Sequence, residues 1–551
     1  MKHKLLVFFL LTAGNLYAQG IQNGQLSGNF QSDFQLYVED EALSFNLNNP
    51  SSGFPNERGL SNGFANFLYL TNNFSAGIRY EAYQNALLGY PSGYQGEDIT
   101  YRFVQFEKDG VDITVGNFYE QFGTGMILRA YEERNLGYDN AFDGIRIKYS
   151  PKNGIYLKSL VGRQRIFFDK SEGLIRGLDT EISLNESFSI LSESTARITI
   201  GASFVSKYQA DLNTQYILPE NVGSWASRMN LNHGKWQFGA EYVHKYNDPS
   251  SANNYIFKPG NALLLSGAYS KRGFGISLAA KRIDNMDFRS ERDQNLQNAI
   301  INYLPALTKQ HAYTLATIYP YGTISTGEMG LQTDLNYKFK KNSLLGGKYG
   351  MGLIANFSNV YAIDKQALDF NTSIGANGTM GYTSDFFKVG KEKYFQEFSL
   401  ELSKKINRKV KFTGTYINTE YNSSVIVGYK YFGMIYADIF VFETQYKIKP
   451  KHTLRAEVQH LKTDQHEGNW AMALVEYTVS PKYFVTIQNM YNYGNQVNKL
   501  NYPNLTFGFN KGTNRLTLGY GKQRAGIFCV GGICRNVPAS NGLSLNMTSS
   551  F

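Results

Sequence analysis

Proline, tryptophan and long apolar runs are scarce in this sequence. Its 551 residues include 13 Pro and 3 Trp, against 40 Tyr, 38 Phe and 53 Gly. A composition rich in aromatics and glycine but poor in proline favours β-strands over helices and disorder. After the first twenty residues, no apolar run approaches the roughly 20 residues that a transmembrane helix needs. The sequence therefore predicts an all-β protein without membrane-spanning helices.

Linkers and charge blocks are also lacking. A soluble chain of this length would ordinarily divide into two to four domains. We find no Pro/Ser-rich linker and no shift in composition, which favours one continuous unit. The net charge of +10 is mild and is spread along the chain, so nucleic acid is not indicated as a partner.

The first residues, MKHKLLVFFLLTAGNLYAQG, have the pattern of a secretory signal peptide. Lys2 and Lys4 precede an apolar run from Leu5 to Leu11, and a small-residue exit ends at Ala18. The alternative is a membrane anchor, but this run is too short to cross a bilayer. We expect a signal peptide over residues 1–18 and a mature chain over 19–551.

A two-residue period begins at QLSGNFQSDFQLYVED, residues 25–40. From Leu26 to Val38 the even positions are mainly apolar and the odd positions mainly polar. This run is about twice as long as a typical soluble strand of roughly five or six residues. Similar runs recur in pairs along the chain, which indicates successive hairpins.

Short turns alternate with long connections over the whole chain. Tight turns fall at 71–73, 108–110, 151–154, 185–187, 232–235, 270–273, 340–342, 404–407, 447–451, 480–482 and 511–513, and longer segments at 42–60, 122–142, 206–221, 284–327 and 362–393. Outer-membrane β-barrels have this asymmetry, with short periplasmic turns and long outer loops. We therefore predict a single large transmembrane antiparallel β-barrel of about 24 strands (about 22–26) in the cell outer membrane.

The alternative is a secreted all-β protein such as a sandwich array or a propeller. A propeller would show a repeat near forty residues, and we find none. The end of the chain favours the barrel, since Leu543, Leu545, Met547 and Phe551 share one parity. This ending resembles the C-terminal signal by which outer-membrane barrels are recognised, so we expect Phe551 to engage the barrel assembly machinery.

Charged residues occupy the polar parity of many strands, which places them in the lumen because charge on the lipid face is costly. They could form a pathway for solute or a web of ion pairs that stiffens the wall. The residues predicted to face the lumen include Arg79, Glu81, Arg102, Arg146, Arg197, Glu241, Arg455 and Glu457.

The segment at 116–147, GNFYEQFGTGMILRAYEERNLGYDNAFDGIRI, combines glycines with charges of both signs. It is a candidate constriction loop folded into the barrel, and the alternative is an outer loop capped by its own ion pairs. Its polar residues are Arg129, Glu132, Glu133, Arg134, Asp139, Asn140 and Asp143.

The two cysteines, Cys529 and Cys534, lie in FCVGGIC before the last strand. In an oxidising compartment this spacing favours a disulfide at a loop tip. A metal site would need further ligands, and no His lies in that region. We expect no cofactor.

The run VGNFYEQFGTGMILRAYEERNLGYDNAFDGIRI and the ending CVGGICRNVPASNGLSLNMTSSF resemble a family of exported barrel proteins of unknown function found in Bacteroidota-type Gram-negative bacteria. The resemblance spans the mature chain and implies the barrel fold and the outer-membrane location. It implies no activity.

No GxSxG, HExxH or paired-carboxylate motif stands out, so we expect no enzyme. Two functions remain. The first is a porin-like or solute-diffusion channel with loops folded into the lumen. The second is a non-conducting accessory or scaffold subunit of an envelope assembly or secretion complex. The expected partners are outer-membrane lipid, the assembly machinery and envelope proteins.

Overall fold

The computed structural model describes the backbone of residues 24–44, 54–294, 296–428, 432–530 and 533–551. The side chains of residues 528–535 are not described, and the predicted signal peptide at 1–18 lies outside the described residues.

Twenty-four long strands form one sheet. In chain order they are β1 Gln25–Tyr37, β2 Gly59–Leu70, β3 Phe74–Gln84, β4 Gly96–Lys108, β5 Val111–Phe118, β6 Phe142–Lys152, β7 Ile155–Ile166, β8 Asp169–Ser183, β9 Ala196–Tyr208, β10 Asn221–His233, β11 Trp236–Lys245, β12 Gly260–Lys271, β13 Phe274–Asp284, β14 Gly327–Phe339, β15 Met351–Gln366, β16 Thr383–Lys405, β17 Val410–Asn422, β18 Met434–Lys449, β19 His452–Lys462, β20 Trp470–Val479, β21 Tyr483–Asn492, β22 Leu500–Lys511, β23 Asn514–Gln523 and β24 Ser540–Ser550.

The sheet closes on itself. Each strand pairs antiparallel with its neighbour in the chain, and β24 pairs with both β23 and β1. The hydrogen bonds between Gly28 and Phe551, at 3.0 and 3.1 Å between N and O, extend the β1–β24 pairing. Closure satisfies the backbone of every strand without leaving an edge. The prediction of a single barrel of about 24 strands is confirmed.

Side-chain alternation determines which face of each strand is apolar. In β1, Leu26 and Leu36 are each 41% exposed on the outer surface. The intervening odd residues point inward, and Tyr37 is buried at the end of β1, where the strand leads into the long connection to β2. Exposed Ile, Val, Leu and aromatic residues continue round the outside of the barrel. The exterior therefore has the apolar surface of a barrel that spans a lipid bilayer.

The two rims of the barrel differ. At the turn end, hairpins are tight, as at 71–73, 109–110 and 272–273. At the loop end, connections run over 38–58, 119–141, 285–326 and 367–382, although β7 and β8 are joined there by Phe167 and Phe168 alone. The predicted turn at 185–187 is longer than expected, since two helices, Leu184–Ser187 and Ser189–Ser192, precede β9.

The other helices in the described part of the chain are single turns: Glu41–Leu43, Arg134–Leu136, Ser251–Asn253, Leu315–Thr317 and Ser423–Ile426. Within the described residues, every helix is too short or too polar to cross a membrane. Three small hairpins add to the loops, and they pair Gln121–Phe122 with Leu128–Arg129, Glu132–Glu133 with Tyr138–Asp139, and Gly526–Val530 with Ile533–Val537.

Candidate functional site: the loop-filled lumen

Two connections at the loop end fold into the barrel instead of standing above it. We call residues 119–141, between β5 and β6, the first inward loop, and residues 285–326, between β13 and β14, the second inward loop. Met126, Ile127 and Leu128 of the first loop are fully buried, as are Ile301 and Leu315 of the second. Residues this apolar can be buried within a loop only against the inner wall of the barrel or against another loop.

The first apolar contact joins both inward loops to the wall from β5 to β13. Inward-facing wall residues that would otherwise line a wet lumen are apolar here and are buried with the loop residues. The cluster consists of Phe118, Phe122, Met126, Ile127, Leu128, Ala130, Phe142, Leu160, Ile175, Val205, Val222, Ala226, Val243, Ala262, Ile283, Met286, Phe288 and Ile301.

The second apolar contact joins the end of the second inward loop to the wall from β15 to β22. Leu315 and Tyr321 are buried, and the Tyr321 ring stacks on Phe395 with centroids 4.8 Å apart. The backbone N–H of Leu315 donates to Oε1 of Gln459 at 2.8 Å. The wall residues of this cluster include Val360, Phe395, Ile417, Tyr421, Ile435, Ile439, Leu461, Trp470, Met472, Met490 and Tyr502.

The inward loops are also bonded to each other. The N–H of Arg129 donates to the carbonyl of Ile301 at 2.8 Å, and the N–H of Tyr303 donates to the carbonyl of Gly125 at 2.9 Å. The Arg129 guanidinium lies against the rings of Tyr131 and Tyr303, 4.4 and 4.1 Å from their centroids, and the two rings contact each other edge to face. The Asn140 amide donates to the carbonyl of Ile300 at 3.0 Å. The two loops therefore form one packed unit, which we call the plug.

A buried ion network fastens the plug to β3 and β7. Arg79 pairs with Glu81 at 2.7 Å, with Glu132 at 3.0 Å and with Asp139. Arg165 pairs with Glu81 at 2.6 Å and with Asp139 at 2.7 Å. Arg79, Glu81, Asp139 and Arg165 have side chains no more than 5% exposed. Such a network requires every partner, because a buried charge left alone is strongly destabilising.

The first inward loop reaches the remaining strands through other contacts. Arg134 pairs with Glu132 at 2.9 Å, donates to Gln31 of β1 at 3.2 Å and covers the Phe64 ring of β2 at 4.5 Å. The Tyr119 ring stacks on Tyr101 of β4. The plug thus contacts the wall from β1 round to β22.

Two tyrosine side chains in the first inward loop are largely shielded from water. Burial raises the pKa of Tyr131 and that of Tyr138 well above the usual tyrosine range. Both hydroxyls are therefore neutral, and the two rings contact each other with centroids 5.0 Å apart.

Six of the seven polar residues in the candidate constriction loop lie in the plug. Arg129, Glu132, Arg134, Asp139 and Asn140 have the contacts given above, and Glu133 lies in a small hairpin opposite Tyr138. Asp143 does not join them. It lies on β6 with the parity of Ile145, on the outer face of the barrel.

Seven of the eight predicted lumen charges face inward. Besides Arg79 and Glu81, Arg146 pairs with Asp112 at 3.2 Å, and Glu241 accepts from the N–H of Thr124 at 2.8 Å. Arg455 pairs with Glu443 at 2.9 Å and with Glu457. Arg197 donates to the carbonyl of Ser192 at the turn end.

Arg102 faces outward, which corrects the prediction. The register slips between β3 and β4, where Arg79 lies opposite Tyr101 but Tyr80 lies opposite Ile99. This β-bulge inverts the parity of β4, because one extra residue moves the following side chains to the other face. Arg102 consequently lies opposite the exposed Ile78.

The turn half of the lumen remains polar and open to water. Asn29 of β1 is exposed there and accepts from Asn66 at 2.8 Å. Charged side chains reach the same space, with Glu181 40% exposed and Lys148 38% exposed. We call this space below the plug the vestibule.

The cysteines lie opposite each other in the hairpin Gly526–Val530 with Ile533–Val537. Their side chains lie outside the described residues, so the disulfide remains a prediction. In the part of the chain that the structure describes, no three His, Cys, Asp or Glu side chains are grouped to hold a metal ion.

The second inward loop supplies half of the plug, and little in the sequence indicates it. Its buried residues, such as Leu307, Leu315 and Tyr321, follow neither a helical nor a strand period. The one available signal is length, because long loops without secondary structure are commonly functional.

The chain belongs to a family of unknown function, DUF6029, whose model matches residues 1–551. No curated protein matches the sequence. The fold is similar to the translocation pore of the P pilus usher PapC, with 7% identity, a TM-score of 0.43 and coverage of 95% of this chain and 99% of that chain. It is also similar to the siderophore receptor PirA from Pseudomonas aeruginosa (10% identity, TM-score 0.40, covering 96% and 80%) and to OccAB3 from Acinetobacter baumannii (8%, 0.36, 96% and 100%).

Proposed function

We propose that this protein is an outer-membrane solute channel whose lumen is held closed by the plug. One observation carries the proposal: a polar, water-accessible vestibule leads to a plug made of the chain's own loops. A barrel of this strand number is too wide for wall side chains to fill. The plug fills the part of the lumen that wall side chains cannot reach. Its displacement would open a path through the barrel from the vestibule to the loop end.

The surface of the barrel supports the proposed location in the outer membrane. A closed sheet with an apolar exterior and a polar interior suits a lipid bilayer with water inside. By the usual orientation of such barrels, the turn end is periplasmic and the loop end is external. In that orientation the vestibule opens to the periplasm, and the plug lies on the external side. We propose no catalytic role for any of these residues.

A reversible cross-link between the plug and the wall tests the channel. The variant Leu315→Cys/Gln459→Cys, with Cys529 and Cys534 replaced by Ser, joins positions that the structure places in contact. The protein is reconstituted into liposomes, and sugar-driven swelling and planar-bilayer conductance are measured under oxidising and reducing conditions. We expect flux in the reduced protein and its loss after oxidation. Each single-cysteine variant is a control and should be insensitive to oxidation.

The proposal fails if the reduced protein inserts as a folded barrel but passes neither ions nor sugars at any voltage. It also fails if oxidation leaves the flux unchanged while mass analysis shows the cross-link formed.

A second candidate, a non-conducting scaffold subunit, is favoured by exposed apolar residues on the loops above the membrane. Leu212, Ile217 and Phe370 in the loops, and Phe387 near the start of β16, are each at least 80% exposed, and groups of this kind can mark partner surfaces. Mild-detergent purification of the wild type and of Phe370→Ser/Phe387→Ser tests this candidate. A stoichiometric envelope protein lost only from the variant would support it, and a barrel purified alone in both cases would oppose it.

A further inference from the structure

The outer wall carries a cluster of charges where the strands approach the loop end. Arg102 on β4, Asp143 on β6, Arg163 on β7 and Lys170 on β8 all face outward. Asp143 pairs with Lys170 at 2.6 Å and with Arg102 at 3.5 Å. We call these residues, together with Arg176 on β8, the basic patch.

The basic patch has more positive than negative charge. Asp143 lies directly opposite Arg163 in the β6–β7 register, yet its carboxylate is engaged by Lys170 and Arg102. Among the described residues, Arg163 forms no ion pair, and Arg176 has Asn221 as a neutral acceptor at 3.0 Å. Two further carboxylates face outward toward the loop end, where Glu97 accepts from Tyr80 and Glu172, between Lys170 and Arg176 on β8, accepts from Gln209. Four cations against these two and Asp143 still leave the patch positive.

The excess of positive charge lies at a particular height on the outer wall, next to exposed apolar residues. Below Asp143 on β6 the outward residues are Ile145, Ile147 and Tyr149, all exposed and apolar. On β6 the basic patch therefore begins where the row of exposed apolar residues ends, a position that suits contact with lipid headgroups. Unpaired cations near hydrocarbon are costly, and the cost falls toward the interface, where an anion can pair with them.

An apolar groove of about 790 Å³ adjoins the basic patch and runs along the outer wall from β6 to β1. Arg102 and Asp143 border it, and its lining includes Leu26, Phe67, Ile78, Val104, Val115 and Ile145. The backbones of Gly77, Gly116 and Gly144 also line the groove.

We infer that this face binds a phosphorylated lipid of the outer leaflet, with its phosphate on Arg102, Arg163 and Lys170 around Asp143 and an acyl chain in the groove. The inference rests on the proposed insertion of the barrel into the outer membrane. Guanidinium groups bind phosphate oxygens in bidentate fashion, and a headgroup without net charge cannot neutralise several cations at once. Asp143 holds two of the cations in position and competes with the phosphate for them.

Native mass spectrometry of the detergent-solubilised full-length barrel tests the site, with dioleoyl phosphatidic acid as the probe and dioleoyl phosphatidylcholine as its neutral counterpart. We expect the wild type to retain phosphatidic acid in preference. Arg102→Gln/Arg163→Gln should weaken that binding by roughly tenfold or more, because two charge-assisted contacts are lost. Asp143→Asn should strengthen it, because the competing carboxylate is gone. Lys340→Gln/Lys341→Gln, at the turn end, is the matched control for charge and should bind as the wild type does.

Equal retention of both lipids by the wild type would overturn the inference, as would undiminished phosphatidic acid binding by Arg102→Gln/Arg163→Gln. A variant that has failed to fold runs at the unfolded position in unheated gels. If the double arginine variant fails in this way, Asp143→Asn still tests the site, because it should bind phosphatidic acid more strongly and not more weakly. Conductance is recorded on the same preparations. If the barrel conducts but shows no lipid preference, only the lipid site is refuted. If the barrel does not insert into the bilayer, the proposed function is refuted.

Discussion

Arg79 and Arg102 lie on neighbouring strands and face opposite sides of the same wall. Arg79 is 5% exposed and has three carboxylate partners inside the barrel. Arg102 is 55% exposed and has one distant partner outside. Two arginines thus have different roles. The guanidinium of Arg79 fastens the plug, and that of Arg102 remains available at the outer surface. The difference arises from burial, because a charge pair in water contributes little and a buried one must be complete.

This pair gives the first prediction. Arg79→Gln should destabilise the barrel by about 3–5 kcal/mol, because Glu81, Glu132 and Asp139 lose a buried partner. Arg102→Gln should change the stability by less than about 1 kcal/mol. The measurement is the temperature at which the compact band in SDS gels converts to the unfolded band, together with trypsin cleavage within residues 119–141. Equal midpoints for the two variants would contradict the assignment of Arg79 to the plug.

At the scale of single elements, β4 and β5 approach each other closely just past the bulge, where Gly116 of β5 lies opposite Phe103 of β4. Gly116 of β5 has φ +103°, and a Cβ there would lie 2.3 Å from the carbonyl oxygen of Arg102. A residue with a side chain can satisfy neither the dihedral angle nor the space. The close approach of β4 and β5 therefore depends on glycine at this position.

The second prediction follows from that approach. Gly116→Ala should lower the yield of folded barrel and its thermal midpoint, with a cost of at least about 1–3 kcal/mol from backbone strain. Gly275→Ala on β13 is the control, since a Cβ there meets no atom within 4 Å, and we expect a change within about 0.5 kcal/mol. If Gly116→Ala assembled and melted like Gly275→Ala, the close pairing of β4 with β5 at this position would be wrong.

Much of the wall can be predicted from sequence because its signals are local. Alternation assigns Leu26 and Ile78 to the outside and Arg79 and Glu81 to the inside, and turn residues indicate the strand number. The bulge near Thr100 escapes this reasoning, because a single extra residue has no signature in the pattern and yet reverses every later side chain on the strand. The prediction for Arg102 is wrong for that reason.

The plug can be predicted only in outline. The charges and glycines of 116–147 indicate an inward loop, but their partners are distant in sequence. Asp139 binds Arg79 sixty residues away, and Ile300 accepts from Gln164 at a separation of 136. Contacts of this range depend on the closed barrel, which brings the wall residues together only after all strands have paired. Asp143 belongs to β6 and not to the loop, and only the register shows it.

At the scale of the whole molecule, the barrel closes where β1 pairs with β24, and we call this pairing the seam. Asn546 donates to Asp33 across the seam at 2.8 Å. Phe551 lies just beyond β24, where its ring contacts Phe67 on the outer face with centroids 6.3 Å apart. The terminal aromatic therefore supports closure besides its predicted role in recognition by the assembly machinery.

The third prediction concerns this residue. Deleting Phe551 should reduce the amount of folded barrel in the membrane several-fold, because both the backbone bonds to Gly28 and the ring contact are lost. Phe551→Tyr keeps the ring and the chain length and should assemble normally. The amounts are compared by unheated gels of isolated membranes. Normal assembly of the deleted chain would show that the seam closes without its last residue.

The strands of this barrel are unequal in height, and β16, at 23 residues, is the longest. A transmembrane strand needs about ten residues, and the extra residues of β16 fold back onto the wall. Its register with β15 shifts repeatedly between Tyr361 and Lys365, and Ser384 near its start accepts from Arg282 and donates to Asp284, both on β13. The start of β16 thus ties together two strands that are not neighbours in the sheet, and any shearing of this side of the wall would have to break these bonds.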